Sequence, residues 1–430
     1  MQRSRSIYGP VFAVAVALVV ATTALPEELS TLEDKVTLEQ ALESAFSRHP
    51  ELRSARSGVA AARGKLRGAE TYPFNPELGF DGGARTESGE TSADFGAELS
   101  QELERPKKRE ARIAWARTGF LAERARYPRV ARVLAARVHS AFVTALQARD
   151  LLAVANADAE LAGRVYELTE RRLRRGAATQ LELNLAEAEL GRAEGRTQAV
   201  EGTYQTARAE LAEAIGVSPL SPPVPDGTLD GAVPAVPRLK ELAATARENR
   251  ADVEALRLFE NQSAAAHELA RVSAWPNLKL RGFAAREAKR ETIIGGGFSV
   301  PLPVFNRNQG DVAVTRAEQE RATAAREHAE LLALKELSST HANYRAAAGA
   351  AQKLRARVLG TLENNLALLE KAYSAGKTTW SEVLVIRRSL INAERELIDA
   401  EAAARRAWIA LELAAGRLPL PTISLEETTR

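Results

Sequence analysis

The stretch PLPVFNRNQGDV, residues 301–312, separates two segments of different periodicity. Before it, apolar residues alternate along residues 294–302, which is the two-residue period of a strand with one apolar face. After it, an Ala-rich segment with interspersed charges continues without proline until Pro419, and this composition favours a helix. The stretch therefore predicts a short extended segment followed by a long helix.

The sequence on either side of this junction repeats at an interval of about 200 residues. Gly176 and Gly376 follow matching segments (376 − 176 = 200), and the same offset pairs IGVSPL (215–220) with AGRLPL (415–420). Three further matches occur in the same order: 38–52 with 239–253, 75–78 with 275–278, and 100–113 with 299–312. We therefore predict a tandem duplication, joined by the Pro-rich linker SPPVPDGTLDGAVPAVP, residues 221–237.

Each predicted half, residues 25–220 and 238–420, has the same layout and precedes either the linker or a C-terminal tail, 421–430. A helix (about 38–72 and 239–272) leads into a strand pair (76–103 and 276–302), and a long helical hairpin follows (107–215 and 308–415). The first rod of that hairpin, Lys107 to Arg175, would be roughly 100 Å long at helical rise. Pro128 is expected to kink it.

The predicted strands carry apolar residues at alternate positions and polar residues between them. The apolar set is Leu78, Phe80, Phe95, Ala97, Leu99, Leu278, Leu280, Ile294, Gly296, Phe298, Val300 and Leu302, and the polar set is Glu77, Asp94, Glu98, Lys279 and Arg281. Residues 81–90 and 284–292 are predicted as polar hairpin loops. Since an isolated hairpin is only marginally stable, the two hairpins are expected to need a shared sheet, which several copies of the chain could provide.

The N-terminus has the pattern of a secretory signal peptide, residues 1–24. Arg3 and Arg5 precede the apolar run VFAVAVALVVA (11–21), and small residues follow up to Ala24. The run is shorter than the roughly 20 residues that a spanning helix needs. The chain has no cysteine, which excludes disulfides and a lipidated N-terminal cysteine.

Composition and motifs point away from an enzyme and from a nucleic-acid-binding protein. The net charge is +3 and basic residues are interleaved with acids, so no basic patch is predicted. The five histidines (His49, His139, His267, His328 and His341) lack metal-ligand spacing. Gly295 to Gly297 are not followed by the Lys-Ser/Thr of a phosphate-binding loop. We predict no catalytic residues, metal site or cofactor.

The duplicated order of helix, strand pair, long helix, glycine turn and returning helix resembles the TolC family of outer-membrane efflux factors. PLPVFNRNQG and its first-half counterpart ELERPKKREARI are similar to the strand-to-helix junction of the CzcC-like branch, which is associated with heavy-metal cation efflux. The resemblance implies that Pro301 and Pro303 end a barrel strand at the inner membrane interface. The run up to Gly310 would then turn into a periplasmic helix, which Asn306 or Asn308 could cap.

The fold class that this resemblance implies is mainly α with a small β part. Coiled-coil hairpins would form a long α-helical barrel, and a homotrimer would share one transmembrane antiparallel β-barrel with four strands per chain. The chain would be a passive exit duct in the cell outer membrane, with its helical part in the periplasm. Its partners would be outer-membrane lipid, a periplasmic adaptor protein and an inner-membrane pump of the RND type.

The resemblance also assigns the two glycine turns to the periplasmic tip, where the adaptor binds. The family carries there a glycine followed by small residues and Ser/Thr, a pattern that six residues match: Gly176, Ala177, Thr179, Gly376, Lys377 and Thr379. Lys377 is bulkier than the family pattern. A structural helix cap is the alternative role for both glycines.

Glu182 and Glu382 each lie six residues after their glycine, where related channels place acidic rings in a narrow lumen. Such a ring would repel anions and attract divalent cations. Val385 occupies the position at which the fullest family pattern has a second acid. The alternative is that Glu382 is an ordinary solvated residue near a helix start.

Two other functions remain open at this point. A drug or organic-compound channel of the same fold is the first, because one methionine and no cysteine offer no soft-metal relay, and only the resemblance to the CzcC-like branch favours metal. A periplasmic coiled-coil adaptor or scaffold would share the export signal and the helices. It would lack the two amphipathic strand pairs.

Overall fold

The computed structural model describes residues 35–87, 89–229, 234–287, 291–375 and 377–420. The predicted signal peptide (1–24), Gly376 and the predicted tail (421–430) lie outside the described residues. Among the residues described, no helix combines the length and the apolarity needed to cross a membrane.

The two halves have the same order of helices and strands. The first half contains β1 (Lys35–Val36), α1 (Leu38–Arg48), α2 (Pro50–Glu70), β2 (Glu77–Glu87), β3 (Glu90–Leu103), α3 (Pro106–Arg174) and α4 (Gln180–Ile215). After β4 (Val224–Pro225), the second half contains α5 (Leu239–Asn249), α6 (Ala251–Ser273), β5 (Leu278–Glu287), β6 (Glu291–Ser299), α7 (Gln309–Ser374) and α8 (Trp380–Ala414). Helix α3 continues through Pro128.

The single helix predicted at the start of each half is two helices in the structure. His49 separates α1 from α2 with an extended backbone (φ −62°, ψ 127°), because the following residue, Pro50, disfavours helical dihedrals for its neighbour. The His49 Nδ1 atom accepts a hydrogen bond from the Glu51 N–H at 3.2 Å and so caps α2. Arg250 separates α5 from α6 in the same way, although no proline follows it.

The four longer strands form one antiparallel sheet in the order β2-β3-β5-β6. The two hairpins therefore share one sheet within a single chain, joined through β3 and β5. The predicted hairpin loops 81–90 and 284–292 are too long, because β2 and β5 continue to Glu87 and Glu287. The last strand is shorter than predicted: β6 ends at Ser299, so Val300 and Leu302 lie beyond it.

The register places the predicted apolar and polar sets on opposite faces of this sheet. Directly paired residues share a face, and the pairs Leu78↔Leu99, Ala97↔Ala284 and Leu280↔Phe298 define an apolar face. Phe80 and Ile294 on that face are 77% and 80% exposed. The opposite face, called the polar face below, carries all five predicted polar residues: Glu77, Asp94, Glu98, Lys279 and Arg281.

Two glycines of β6 leave room for large side chains of β5 on the polar face. A Cβ on Gly295 would lie 2.6 Å from the ring of Phe283, and a Cβ on Gly297 would lie 3.2 Å from Nε of Arg281. Phe283 is the cross-strand partner of Gly295, and Arg281 is the cross-strand partner of Gly297. The β5 side chains therefore lie over β6.

The helical core is built around α3, which packs against α2, α4, α6 and α8. Nine of its twenty buried residues are alanines, including Ala131, Ala135 and Ala145, and such small residues let helix axes approach closely. Part of the predicted linker belongs to the same core. The side chains of Pro223 and Pro225 are fully buried, and β4 pairs in parallel with β1.

The helical hairpin of each half ends with a glycine that packs against the helix break of that half. Gly216 and Gly416 have φ of 76° and 68°, the left-handed region that favours glycine. A Cβ on Gly216 would lie 3.2 Å from Cα of His49, and one on Gly416 would lie 3.0 Å from the carbonyl of Asn249. The same contact therefore occurs in both halves.

Candidate functional site

The first helical hairpin reverses between α3 and α4 through a glycine turn. Gly176 has φ of 70°, and its N–H donates to the Leu173 carbonyl at 2.9 Å. The Ala177 N–H donates to the Arg172 carbonyl at 2.9 Å, so the last carbonyls of α3 are satisfied by residues of the turn. Gly176, Ala177 and Thr179 are exposed.

The second hairpin reverses between α7 and α8 with matching hydrogen bonds. The Lys377 N–H donates to the Ala372 carbonyl at 2.9 Å, and these residues lie 200 positions after Ala177 and Arg172. Lys377 and Thr379 are exposed. Gly376 itself lies outside the described residues.

Both returning helices begin with a capping box, and its acid is the residue predicted for the gate. The Thr179 N–H donates to the Glu182 carboxylate at 2.8 Å, and the Glu182 N–H donates to the Thr179 hydroxyl at 3.2 Å. Thr379 and Glu382 make the same pair of bonds, at 2.8 and 3.4 Å. This is the Thr-x-x-Glu arrangement that stabilises a helix start.

The Glu382 carboxylate also accepts a hydrogen bond from the Thr378 hydroxyl at 2.8 Å. The backbone N–H of Thr379, followed by the Thr378 and Thr379 side chains, lowers the pKa of Glu382 below its ordinary value. Glu382 is exposed. It is therefore a helix-capping residue whose hydrogen bonds favour the ionised form of its carboxylate.

Large apolar side chains lie exposed on the returning helices just beyond the two turns. Leu181 and Leu185 on α4 are 67% and 42% exposed, and Val385 on α8 is 69% exposed. A small core of Leu161, Val165, Ala186 and Val383 joins α3, α4 and α8 nearby. The hairpins thus pack together within the chain and present a further apolar surface.

The predicted junction residues lie between the end of β6 and the first turn of α7. Asn308, with φ of 60°, precedes the helix, and its carbonyl accepts the Val312 N–H at 3.0 Å. The Asn306 side chain accepts the Asn308 N–H at 2.9 Å, and the Asn308 side chain donates to the Ala270 carbonyl at 2.9 Å. Asn308 therefore holds the start of α7 against the end of α6.

The remaining junction residues have fewer contacts. The Pro303 carbonyl accepts a hydrogen bond from Arg307 Nε at 3.3 Å. Gly310 lies in α7, and a Cβ there would meet no atom within 4 Å. Pro301 follows the end of β6 and has an exposed side chain.

The polar face of the sheet is rich in carboxylates. Arg85 pairs with Asp94 at 3.0 Å and with Glu287 at 2.8 Å, and Lys279 pairs with Glu77 at 2.8 Å. The Arg85–Glu287 and Lys279–Glu77 pairs connect the two hairpins across β3. Among the charged residues of this face whose side chains the structure describes, seven are acids (Glu77, Asp81, Asp94, Glu98, Glu102, Glu287 and Glu291) and three are bases (Arg85, Lys279 and Arg281), a net charge of 3 − 7 = −4.

The histidines make separate structural contacts. His49 caps α2, the His341 Nε2 atom lies 2.9 Å from the Pro237 carbonyl, and the His267 Nδ1 atom lies 3.2 Å from the Thr315 hydroxyl. Burial lowers the pKa of His139. The described part of the chain contains no group of three or more side chains able to hold a metal ion.

One charged cluster was missed by the sequence analysis. The carboxylate of Asp158 on α3, with its side chain 4% exposed, pairs with Arg196 on α4 at 2.7 Å and with Arg387 on α8. Arg387 Nη2 also donates to the Asp158 carbonyl at 3.0 Å. The only signal in the sequence was an aspartate within an otherwise Ala- and Leu-rich stretch of α3, which alone does not identify its partners.

Comparison with known proteins gives matches along most of the chain. A family model described as outer membrane efflux protein matches residues 41–217 and 242–417. The cobalt-zinc-cadmium resistance protein CzcC of Cupriavidus metallidurans is 29% identical over 370 residues, which cover 83% of this chain and 84% of CzcC. Protein CyaE of Bordetella pertussis is 25% identical over 420 residues, covering 93% of this chain and 87% of CyaE.

Solved structures of outer-membrane channels have a similar fold. The outer-membrane channel OprN superposes with a TM-score of 0.74 at 21% identity, covering 95% of this chain and 98% of OprN. CusC, from a study of folding and transmembrane channel formation, superposes with a TM-score of 0.72 at 19% identity, covering 90% of this chain and 93% of CusC. The mainly helical architecture with a small sheet is common to all three.

Proposed function

This chain belongs to the outer membrane efflux protein family, and from that membership we propose that it forms a passive exit duct for heavy-metal cations. Its relative CzcC is named for resistance to cobalt, zinc and cadmium, which supports this choice of substrate. The duct would serve a tripartite system with a periplasmic adaptor and an inner-membrane pump of the RND type.

The observation that carries the choice of cations is the charge of the polar face. Seven described carboxylates against three basic groups leave a net charge of −4 per chain on the face opposite the exposed apolar one. A narrow aqueous passage lined by excess negative charge attracts cations and repels anions. No soft ligand is needed, because the duct would conduct the metal ions without holding them.

The duct would be a homotrimer closed through the edges of the sheet. Strands β2 and β6 are the edges of the four-stranded sheet, and unpaired strand edges are unfavourable in lipid. Three copies would give 3 × 4 = 12 strands in one barrel. The exposed apolar face, including Phe80 and Ile294, would then contact outer-membrane lipid, and Pro301 and Pro303 would mark its periplasmic border.

The periplasmic adaptor would bind at the two glycine turns. Gly176, Ala177, Thr179, Lys377 and Thr379 are exposed or flank the reversal of a hairpin, and Gly376 occupies the matching position of the second turn. The nearby exposed side chains Leu181, Leu185 and Val385 would pack against neighbouring copies of the chain. The tip would thus be assembled only in the trimer.

Glu182 and Glu382 would form the constriction above this tip. Their capping boxes fix both carboxylates beside the first turn of a helix, so in a trimer they would recur at a constant height. Within each chain, the hydrogen bonds from Thr379 and Thr378 lower the pKa of Glu382 and so favour the charged form of its carboxylate. The side chain of Val385, three residues further along α8, adds no charge to it.

We also infer that the halves 25–220 and 238–420 arose by tandem duplication. The paired capping boxes and the paired contacts of Gly216 and Gly416 with the helix breaks support this origin, since each recurs after 200 residues. Strand β4, which packs in the helical core, would then be the part of the linker that connects the two halves.

The proposed substrate is tested in a host whose copy of this gene is deleted. Tolerance to cobalt, zinc and cadmium should fall on deletion and return on expression of the wild-type chain, while tolerance to hydrophobic dyes stays constant. Loss of dye tolerance alone would favour an organic-compound channel. Recovery of the chain in the soluble periplasmic fraction, with no carbonate-resistant membrane material, would favour an adaptor or scaffold.

A further inference from the structure

A cleft between the two helical hairpins contains a cavity with an excess of positive charge. The cavity of about 170 Å³ lies between α3, α4 and the first half of α8. Four arginines line it together with two acids, and these are Arg196, Arg387, Arg388, Arg395, Asp158 and Glu189. Since a cavity of about 10–15 Å³ already holds one water molecule, this one is large enough for a polyatomic ion.

The two acids of the cavity are already paired with Arg196, Arg387 and Arg192. Asp158 pairs with both Arg196 and Arg387, and Glu189 pairs with Arg192, which does not line the cavity. Asp158, Glu189 and Arg387 are all more than nine-tenths buried. The acids therefore leave the other arginines of the cavity without a counter-charge.

Two guanidinium groups of the cavity, and one N–H of a third, lack acceptors among the described residues. Within the described ranges, Arg388 and Arg395 make no ion pair or side-chain hydrogen bond, and both are exposed. Arg387 is 4% exposed, and its Nε–H has no hydrogen-bond partner. A buried donor is normally satisfied. The Asp158 Oδ1 atom, although ion-paired with Arg387, has no hydrogen-bond partner either, so the ion pair leaves this N–H as an unused donor at the cavity.

The two arginines without ion pairs among the described residues, Arg388 and Arg395, lie on one face of α8. Arg388 and Arg395 are seven residues apart, two turns along the same helix face, and Asn392 lies between them. Guanidinium groups form planar forks that match the paired oxygens of phosphate and related anions, and they bind these more specifically than they bind a spherical ion. Chloride would use this geometry less well.

We propose that this cavity binds one tetrahedral oxyanion of the phosphate or sulfate class per chain. Arg388 and Arg395 supply its main contacts, and Arg387 turns its free N–H toward it from the buried side. Because the site is made by α3 and α4 of one half and α8 of the other, the bound anion connects the two hairpins. This site is separate from the proposed cation path and does not depend on the substrate of the duct.

Equilibrium dialysis of the detergent-purified full chain against radiolabelled inorganic phosphate tests the site. The buffer contains no other oxyanion, and sodium chloride holds the ionic strength constant. We expect saturable binding of one phosphate per chain. Sulfate should displace it, and acetate at the same concentration should not. The double variant Arg388→Gln, Arg395→Gln should weaken binding at least tenfold.

The matched control is Arg321→Gln, which removes an exposed arginine of α7 that also has no ion pair among the described residues. It should bind phosphate as the wild type does. Circular dichroism and gel-filtration profiles of all variants should coincide, since the replaced side chains are exposed. Absence of saturable binding overturns the proposal, as does equal displacement by acetate or an equal loss of binding in Arg321→Gln.

Discussion

Alanine in place of Gly416 is expected to loosen the contact between the end of α8 and the break between α5 and α6. Gly416 has φ of 68°, and a Cβ there would lie 3.0 Å from the backbone carbonyl of Asn249. The left-handed conformation costs an alanine about 1–2 kcal/mol, and overpacking against backbone costs about 1–3 kcal/mol. Together these should lower the free energy of local unfolding by about 2–5 kcal/mol.

Gly176 provides the matched control because it has the same conformation without the contact. Its φ is 70°, and a Cβ there would meet no atom within 4 Å. Gly176→Ala should therefore carry only the conformational cost of about 1–2 kcal/mol. Gly216→Ala should fall between the two, since its Cβ would lie 3.2 Å from Cα of His49.

Hydrogen exchange measured by mass spectrometry on the purified protein compares these variants. The reporting amides are those of Gly416 and Arg417, which donate to the carbonyls of Leu413 and Glu412. In Gly416→Ala, exchange at these two amides should accelerate relative to wild type. That acceleration should be roughly 5- to 150-fold greater than the acceleration at the Gly176 turn in Gly176→Ala, which corresponds to the additional overpacking cost of about 1–3 kcal/mol. Equal acceleration in the two variants would refute the steric argument.

Four other outcomes are expected. Protein extracted in mild detergent should run as a trimer, and a monodisperse monomer with full strand content would contradict the shared barrel. Gly376→Trp should leave membrane insertion intact and abolish adaptor crosslinking and metal tolerance, so normal tolerance would contradict the tip assignment. In planar bilayers, Glu382→Gln keeps a capping side chain and removes the charge, so it should reduce divalent-cation block as much as Glu382→Ala does. In the wild-type channel, block should be lost only as pH falls through the lowered pKa of Glu382. Unchanged block in both variants would exclude a lining role. The double variant Asp81→Asn, Glu291→Gln should lower cation selectivity relative to the helix control Glu320→Gln. Equal selectivity in the wild type, the double variant and the control would contradict a cation path along the polar face.

The sequence predicted the sheet faces correctly because alternation depends only on the two-residue period of a strand. All five predicted polar residues share one face. The strand ends were less predictable. Polar and glycine residues after position 80 suggested a loop, yet Asp81 to Glu87 pair with β3 in full register, since hydrogen bonding to a neighbouring strand outweighs a weak local preference.

The helix breaks and the charged cluster show what one-dimensional patterns cannot supply. Pro50 could have revealed the break at His49, whereas Arg250 is extended with alanine following it. Its guanidinium donates to the Ala414 carbonyl and pairs with Glu336, so distant residues determine its conformation. Asp158 and Arg387 likewise meet across 229 positions (387 − 158 = 229), a contact that only the packing of α3 against α8 creates.

The glycines of β6 determine how much free cross-section the polar face can enclose. Because Gly295 and Gly297 have no side chains, Phe283 and Arg281 lie flat against the sheet, and their bulk does not project away from it. In a closed ring of such sheets, the bore at this level would be wider by the height of the missing side chains. The same residues make β6 a less rigid strand, so the width of the opening and the ease with which its wall deforms would be set together by one run of three glycines.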